Sequence, residues 1–562
     1  MINSHIFLVT QKKNKKELVH KLIKYKEEFM LRVLGVSAPH YARKDEAVIS
    51  TSLNSSDPFS LYNAYKVAAE KAQDGDENWG DSNWNTKEGR DNSIMLLQYY
   101  YNDAPRFLEK LKEINPNLLF IGSMTLGFAG AVEVAKLAKR ALGDKVFVVL
   151  GGKHTGETMF EEDGKVKQLK SSPLLLMRDG KIPKVFDMIC SGDGEEILYQ
   201  IGNGINQCQK NGEKLDNVYK YNGLKDAKGD WTLGWLNKEN ECEFIQSTKE
   251  PLNYDEMPLT SELFNISTKF DVFENSDLTA HTMSYLSKGC VHNCFYCSES
   301  SRINGKLKQT ETGAQRLYKN LESIQRVGKE QYGTDKMSAF VEDSIILAGN
   351  PKLLNEVSGL LEEKPLNVEF GGQFTIDTLL DDRNQEVVSR LSKQGFKYVF
   401  LGLETNNEEI AETMSKNKVR KGMSWIEKNE KAIQFIKNQN MKYGVSVLFG
   451  LGESQQDRIN LMNTIKGWQQ KYGLPNVVSM NLAVKHPLRN NEDYDYIEWG
   501  TSPDSEYLPI FTKLFGEASE KYKMPGIELP TVDELKELQQ IYDEIKEYED
   551  EKNKNSQEGD ER

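Results

Sequence analysis

Apolar residues recur along this chain in two rhythms, short runs of four to eight and three-and-four spacings, and the two alternate for most of its length. The run FMLRVLGVS (29–37) reads as a buried strand. The helix-like APRFLEKLKEINPN leads to a second apolar run at 118–123, and GAVEVAKLAKRAL (130–142) leads to the strand VFVVL before Gly151 and Gly152. A further strand, 186–190, runs into SGDGEEILYQI. Strands this apolar are covered on both faces, which predicts a parallel, doubly wound sheet with ligands beyond its carboxyl ends. This α/β, Rossmann-like domain is placed at 25–210. Residues 40–92, polar and punctuated by DGDENWGDSNWN, read as a long insertion or lid. Residues 211–280 read as an ordered linker.

From Thr282 the alternation becomes regular. Strand-like TMSYLS, MSAFVE, NVEFGG, KYVFLGLE, YGVSVLFG and VVSMNLAV are separated by helix-like segments near 313–327, 351–363, 384–394, 425–439 and 455–472. Six β/α units predict a partial parallel (β/α)6 barrel over 281–485. Residues 486–562 read as a mainly helical C-terminal segment, with a helix from about Val532 that dissolves into an acidic tail, EYEDEKNKNSQEGDER.

Composition narrows the function. The 562 residues carry 72 Lys and Arg against 85 Asp and Glu, a formal charge of −13 that repels polyanions and argues against nucleic acid as a partner. The longest apolar runs are about five residues, far short of the roughly 20 that span a bilayer, so no membrane partner is expected. Met1–Thr10 lacks an apolar signal core, and a cytoplasmic protein is expected. Six cysteines are too few for a disulfide framework. Cys190, Cys208 and Cys242 stand apart, but Cys290, Cys294 and Cys297 fall together in SKGCVHNCFYCSES, on the loop leaving the first barrel strand. Three thiolates there can hold three irons of a 4Fe-4S cluster and leave the fourth open to an exogenous chelator. The alternative is zinc, which needs a fourth ligand; His292 is awkwardly spaced and Cys242 is distant in sequence.

The spacing Cys290-x3-Cys294-x2-Cys297, with Tyr296 before the last cysteine, resembles the signature of the radical S-adenosylmethionine (radical SAM) superfamily. The resemblance implies that S-adenosylmethionine chelates the open iron and that its reductive cleavage yields a 5′-deoxyadenosyl radical. It places Tyr296 near the adenine. Glu342 and Asp343 in FVEDS, Gln373, and Glu404 in LGLE resemble strand-end positions that face this cofactor. For the two carboxylates of FVEDS, capping of the next helix is the competing role. LFGLGESQQD, around Phe449, resembles a turn whose backbone meets the nucleoside.

The first domain resembles the cobalamin-binding module that precedes the barrel in one subgroup of these enzymes. The likeness rests on Asn115-Pro116 before LLFIGSMT, on Gly151-Gly152-Lys153-His154-Thr155, on FDMIC, and on Ser191-Gly192-Asp193-Gly194-Glu195-Glu196. It implies backbone approach to a corrinoid at Gly151, Gly152, Gly192 and Gly194, with Ser123, Thr125, His154, Thr155 and Glu195 as further contacts. No Asp-x-His-x-x-Gly motif is present, so no axial histidine is expected, and neither His40 nor His154 has that context.

The expected function is cobalamin-dependent methylation of an unactivated carbon in a small molecule or peptide, with a reducing donor such as flavodoxin or ferredoxin. Cobalamin-assisted rearrangement, ring contraction or cyclisation is the alternative within enzymes, and a non-catalytic corrinoid or iron-sulfur sensor the alternative outside them. A methylthiolating enzyme would need a second three-cysteine set, which the first domain lacks. Substrate recognition is expected from 483–530, where His486, Arg489, Tyr494, Tyr496 and Trp499 lie.

Overall fold

The computed structural model describes residues 30–40, 56–286, 289–297, 299, 312–418, 422–473, 475, 477–486, 514–515 and 523–560. Arg489, Tyr494, Tyr496 and Trp499 lie outside the described residues. A mixed seven-stranded sheet and a parallel six-stranded sheet dominate the architecture.

The first sheet has strands β1 (Val33–Ser37), β2 (Ile94–Leu96), β3 (Leu118–Gly122), β4 (Phe147–Gly151), β7 (Met188–Gly192), β8 (Trp231–Leu236) and β9 (Cys242–Gln246), in the order β2-β1-β3-β4-β7-β8-β9. The small hairpin β5 (Met159–Glu162) and β6 (Lys165–Gln168) stands beside it. The five strands from β2 to β7 pair in parallel; β8 and β9 add on antiparallel. Successive side chains point to opposite faces, and the sequence supplies apolar residues for both. Val33, Leu118, Phe120, Phe147 and Val149 enter one core, and Leu34, Val36, Leu119, Ile121, Val148 and Leu150 the other. Helices Ser56–Gln73 and Glu195–Lys210 cover the first face; Tyr100–Ile114 and Phe128–Leu142 cover the second.

Several boundaries differ from the sequence reading. The first strand begins at Val33 rather than at residue 29. Within the expected 40–92 insertion, residues 56–91 are part of the domain: Tyr65, Trp79 and Trp84 are buried in the core with Ala68, Ala69 and Ala72 of the helix. Trp79 fits because Gly202 has no side chain; a Cβ there would lie 2.1 Å from the indole. The segment looked polar because its core contacts come from widely spaced aromatics and alanines. The first sheet also continues past 210, since β8 and β9 come from the expected linker, with Trp231 and Leu233 buried.

The second sheet runs β10 (Leu278–Thr282), β11 (Met337–Val341), β12 (Val368–Phe374), β13 (Phe396–Glu404), β14 (Lys442–Phe449) and β15 (Val477–Leu482), parallel and in sequence order. Helices Gly313–Val327, Pro351–Glu363, Asp382–Leu391, Trp425–Asn438 and Gln455–Tyr472 separate the strands. Their starts are specified locally: Asn350 caps ahead of Pro351, and Ser424 with Glu427 and Ser454 with Asp457 form capping boxes. This is the expected six-unit partial barrel. Helix Val532–Asp560 buries Leu535, Leu538, Tyr542 and Ile545 and continues through the charged run expected to be a tail. Among the described residues no helix is long and apolar enough to cross a membrane.

Candidate active site

The carboxyl ends of the two sheets border one cavity of ≈ 670 Å³. The first sheet contributes Ser37 of β1, Gly122 of β3, Gly151 of β4 and Gly192 of β7, followed by Ser123, Gly152, Gly194 and Glu195. The barrel contributes Cys290, Cys294, Tyr296 and Cys297 from the loop after β10, Glu342 after β11, Gln373 of β12 and Glu404 of β13. Thirteen of the seventeen residues expected from sequence to meet the cluster or cofactors thus share one space.

The other four are turned away from it. Thr155 is fully buried and donates to the carbonyls of Gly152 (2.8 Å) and Cys190 (2.6 Å). The Thr125 hydroxyl donates to Glu157 Oε2 (3.0 Å) and lies 3.1 Å from His154 Nδ1. His154 stacks on Phe128 with ring centroids 4.2 Å apart and is 1% exposed. Asp343 accepts from Ser284 N (2.8 Å), Ser284 Oγ (2.5 Å) and Leu347 N (3.1 Å). Its carboxylate therefore ties the loop after β10 to the turn after β11 rather than facing the cavity. The LFGLGE turn is also internally satisfied, with Glu453 accepting from Gly450 N and Leu451 N at 2.8 Å each and from Arg458 Nε at 2.8 Å. His486 is described but does not border the cavity.

Burial pulls the His154 imidazole down to about 3, so it is neutral in the folded protein. In the unfolded chain it gains a proton below its ordinary value near 6.5. Its contribution to stability is therefore intact above about pH 6.5 and falls as pH drops toward 3, by up to about 1.4 kcal/mol per pH unit. Urea melts at pH 7.5 and 5.5 should show a smaller loss for His154→Asn than for the wild type; equal losses would count against this burial.

Within the cavity the barrel side carries an ion pair that sequence reasoning missed in part. Glu404 has a left-handed backbone (φ +64°), at the register shift after Gly402. Its Oε1 accepts from Lys416 Nζ at 2.5 Å, and both side chains are nearly buried. Gly402 makes room for the pair, since a Cβ there would lie 2.5 Å from the Lys416 ammonium. A non-glycine residue held at positive φ stores strain that the surroundings must offset, and such positions concentrate at functional sites. The same ammonium sits 5.9 Å from the Tyr296 ring centroid. Burial, reinforced by the Glu404 charge, holds the Tyr296 hydroxyl far above its ordinary pKa. Glu342 is oriented from behind, its Oε1 2.5 Å from His281 Nδ1, and His281 meets Phe270 edge-on at 5.3 Å.

Burial also raises the Cys290 thiol, against a backbone N–H from His292, and the Cys297 thiol, against the charge of Lys153. Among the described residues no three His, Cys, Asp or Glu side chains converge on a single ion. Three cysteines spaced around a common space fit a cubic cluster, whose thiolates bind three different irons, better than a closed zinc site. Metal binding would also offset the cost of ionising buried thiols. Helix 56–73 supplies Phe59, Ser60, Asn63 and Tyr65 to the opposite wall, and Tyr254 stacks on Tyr285 there at 5.0 Å. No sequence signal pointed to this wall, because its residues are ordinary helix and loop types.

Residues 284–465 match the family model described as "Radical SAM superfamily". Over 221 residues, 39% of this chain, the sequence is 25% identical to biotin synthase of Buchnera aphidicola subsp. Schizaphis graminum (strain Sg), and the match spans 58% of that protein's length. Among solved structures, the cobalamin-dependent S-adenosylmethionine radical enzyme OxsB is similar over 78% of this chain and 52% of its own, with TM-score 0.46 and 12% identity. The radical S-adenosylmethionine methyltransferase TsrM from Kitasatospora setae is similar over 82% of this chain and 74% of its own, with TM-score 0.45 and 13% identity. The cysteine loop, the strand-end carboxylates and the six-stranded parallel sheet all fall in or beside the matched segment. Residues 284–465 are a radical SAM domain, and Cys290, Cys294 and Cys297 lie within it.

Proposed function

We propose that this protein is a cobalamin-dependent radical SAM enzyme that methylates an unactivated carbon of a small molecule or peptide. One observation carries the reading: the glycine-bearing ends of β3, β4 and β7 and the three cysteines border the same cavity. When bound, the cluster with S-adenosylmethionine supplies a hydrogen-abstracting 5′-deoxyadenosyl radical, and methylcobalamin supplies a methyl group.

The residues present suit both groups. Gly122, Gly151, Gly152, Gly192 and Gly194 leave bare backbone on the first sheet's side of the cavity, where a flat corrinoid can approach closely. His154 is committed to Phe128 and Thr125, so it supports no axial ligation from that position. On the barrel side, Glu342 and the Glu404–Lys416 pair present opposite charges suited to the ammonium and carboxylate of a methionyl group. Tyr296 offers an apolar face beside them. The phenyl and phenol rings of Phe59, Tyr254 and Tyr285 line the wall between the sheets. A low-potential flavodoxin or ferredoxin is the fitting class of electron donor.

Reconstituted enzyme given methyl-labelled S-adenosylmethionine and a strong reductant is expected to release both 5′-deoxyadenosine and S-adenosylhomocysteine. The product should gain one labelled carbon. A product of unchanged mass with no S-adenosylhomocysteine would overturn methyl transfer in favour of rearrangement, and no cleavage at all would favour a sensor.

A further inference from the structure

Two lysines border the cavity among the described residues, Lys416 from the barrel and Lys153 from the first sheet. Lys153 follows Gly152, whose left-handed backbone (φ +95°) turns the chain out of β4; a Cβ at Gly152 would lie 2.6 Å from Ser123 N. The turn is fixed further by His154 N, which donates to the Ser123 carbonyl at 3.0 Å. Its ammonium therefore leaves the first domain from a rigid position, and it forms an ion pair with Glu299, two residues beyond Cys297.

Glu299 is more than a surface partner. Its backbone carbonyl accepts from Cys290 N at 3.1 Å, and its Oε2 accepts from Ser344 Oγ at 3.5 Å. One residue thus braces the first cysteine, the turn after β11 and a lysine from the other domain. Lys153 lines the same cavity as Cys290, Cys294 and Cys297, and burial lowers its pKa against the charges of Glu157 and Cys297.

We infer that Lys153 is a positioning residue for the iron-sulfur cluster, which sets its reduction potential from the other domain, with Glu299 as the opposing charge. The inference rests on the cluster carried by the three cysteines and not on the identity of the substrate. One electron from a low-potential donor reduces the cluster and adds one unit of negative charge to it. A nearby cation stabilises that extra charge and a nearby carboxylate opposes it, more strongly in a partly buried site than in water. Removing the ammonium makes the cluster harder to reduce, and neutralising Glu299 makes it easier.

The test is a potentiometric titration of the full-length, anaerobically reconstituted protein, followed by electron paramagnetic resonance, alongside iron and sulfide analysis. At the wild-type midpoint, Lys153→Met is expected to lower the reduced-to-oxidised ratio roughly tenfold, about 59 mV for one electron. Glu299→Gln is expected to raise that ratio, and Lys153→Arg to stay near the wild type. If Lys153→Met loses iron, the opposite-signed shift in Glu299→Gln together with rescue by Lys153→Arg still supports the inference. Shifts of the same sign in Lys153→Met and Glu299→Gln, or no shift in Glu299→Gln, overturn it. A wild type without iron or sulfide overturns the cluster itself, an outcome that the analysis of the unmutated protein separates from the other results.

Discussion

Alanine at Cys290, Cys294 or Cys297 is expected to strip the protein of iron and reduce reductive cleavage of S-adenosylmethionine to background. Each thiol borders the cavity, and each would hold its own iron. Losing one leaves an iron with only inorganic sulfide and solvent, in a site already half desolvated. The loss should exceed the 10–100-fold typical of removing an outer partner of a metal ligand, so at least about 100-fold. Cys208→Ala is the matched control. Burial pushes that thiol up to about 11, so it stays protonated, and it packs in the core of the first domain. Iron and acid-labile sulfide per chain, with 5′-deoxyadenosine release, measure both. Full iron in all three cavity variants would remove the foundation of the site.

Gly192→Ala is expected to be the most damaging single-methyl change in the first domain's cavity wall. Gly192 ends β7 with φ +89°, and an added Cβ would lie 2.1 Å from the Asp230 carbonyl oxygen. That carbonyl already accepts from Asp193 N at 2.9 Å, so it cannot retreat without breaking the β7–β8 junction. Backbone strain and overpacking together should cost on the order of 3 kcal/mol or more. The same shift would displace Gly194 and Glu195 from the cavity, so corrinoid absorbance after reconstitution should fall as well. Gly180→Ala separates the causes: it has φ +70° with nothing within 4 Å of the new carbon, and should cost only about 1–2 kcal/mol. Thermal melts that place the two variants together would show that the steric argument fails.

How far these features could be read beforehand depended on how local their causes are. The barrel strands and helices were legible because each carries its own periodicity and its own caps, such as Ser424 with Glu427. The cysteine loop was legible because ligand spacing is itself sequence. Residues 56–91 were not, since Trp79 and Trp84 find their places only against Tyr199, Gly202 and Tyr65, far away in the chain or on another turn. Thr125, His154 and Thr155 sit in glycine-rich turns of the right kind, yet the direction each side chain faces depends on Phe128, Glu157 and the Cys190 carbonyl. Lys153 and Lys416 went unnoticed as functional candidates because lysine is usually solvated, and only the folded chain brings their carboxylates to them.

The short helix Lys87–Asp91 links the first domain to the barrel. Arg90 is fully buried and donates to the carbonyls of Leu263 (2.9 Å) and Trp84 (2.8 Å) and to Gln73 Oε1 (2.9 Å). Beside it Lys87 Nζ reaches Gln331 Oε1 of the barrel at 2.5 Å, and Asp91 Oδ1 accepts from Asn265 N at 3.2 Å. A hinge that swung the halves apart here would break the Lys87–Gln331 contact, whereas Arg90 would keep its Trp84 and Gln73 acceptors, which lie in the first domain with it. Entry of bulky molecules at the rim of the cavity would leave this Lys87–Gln331 contact in place.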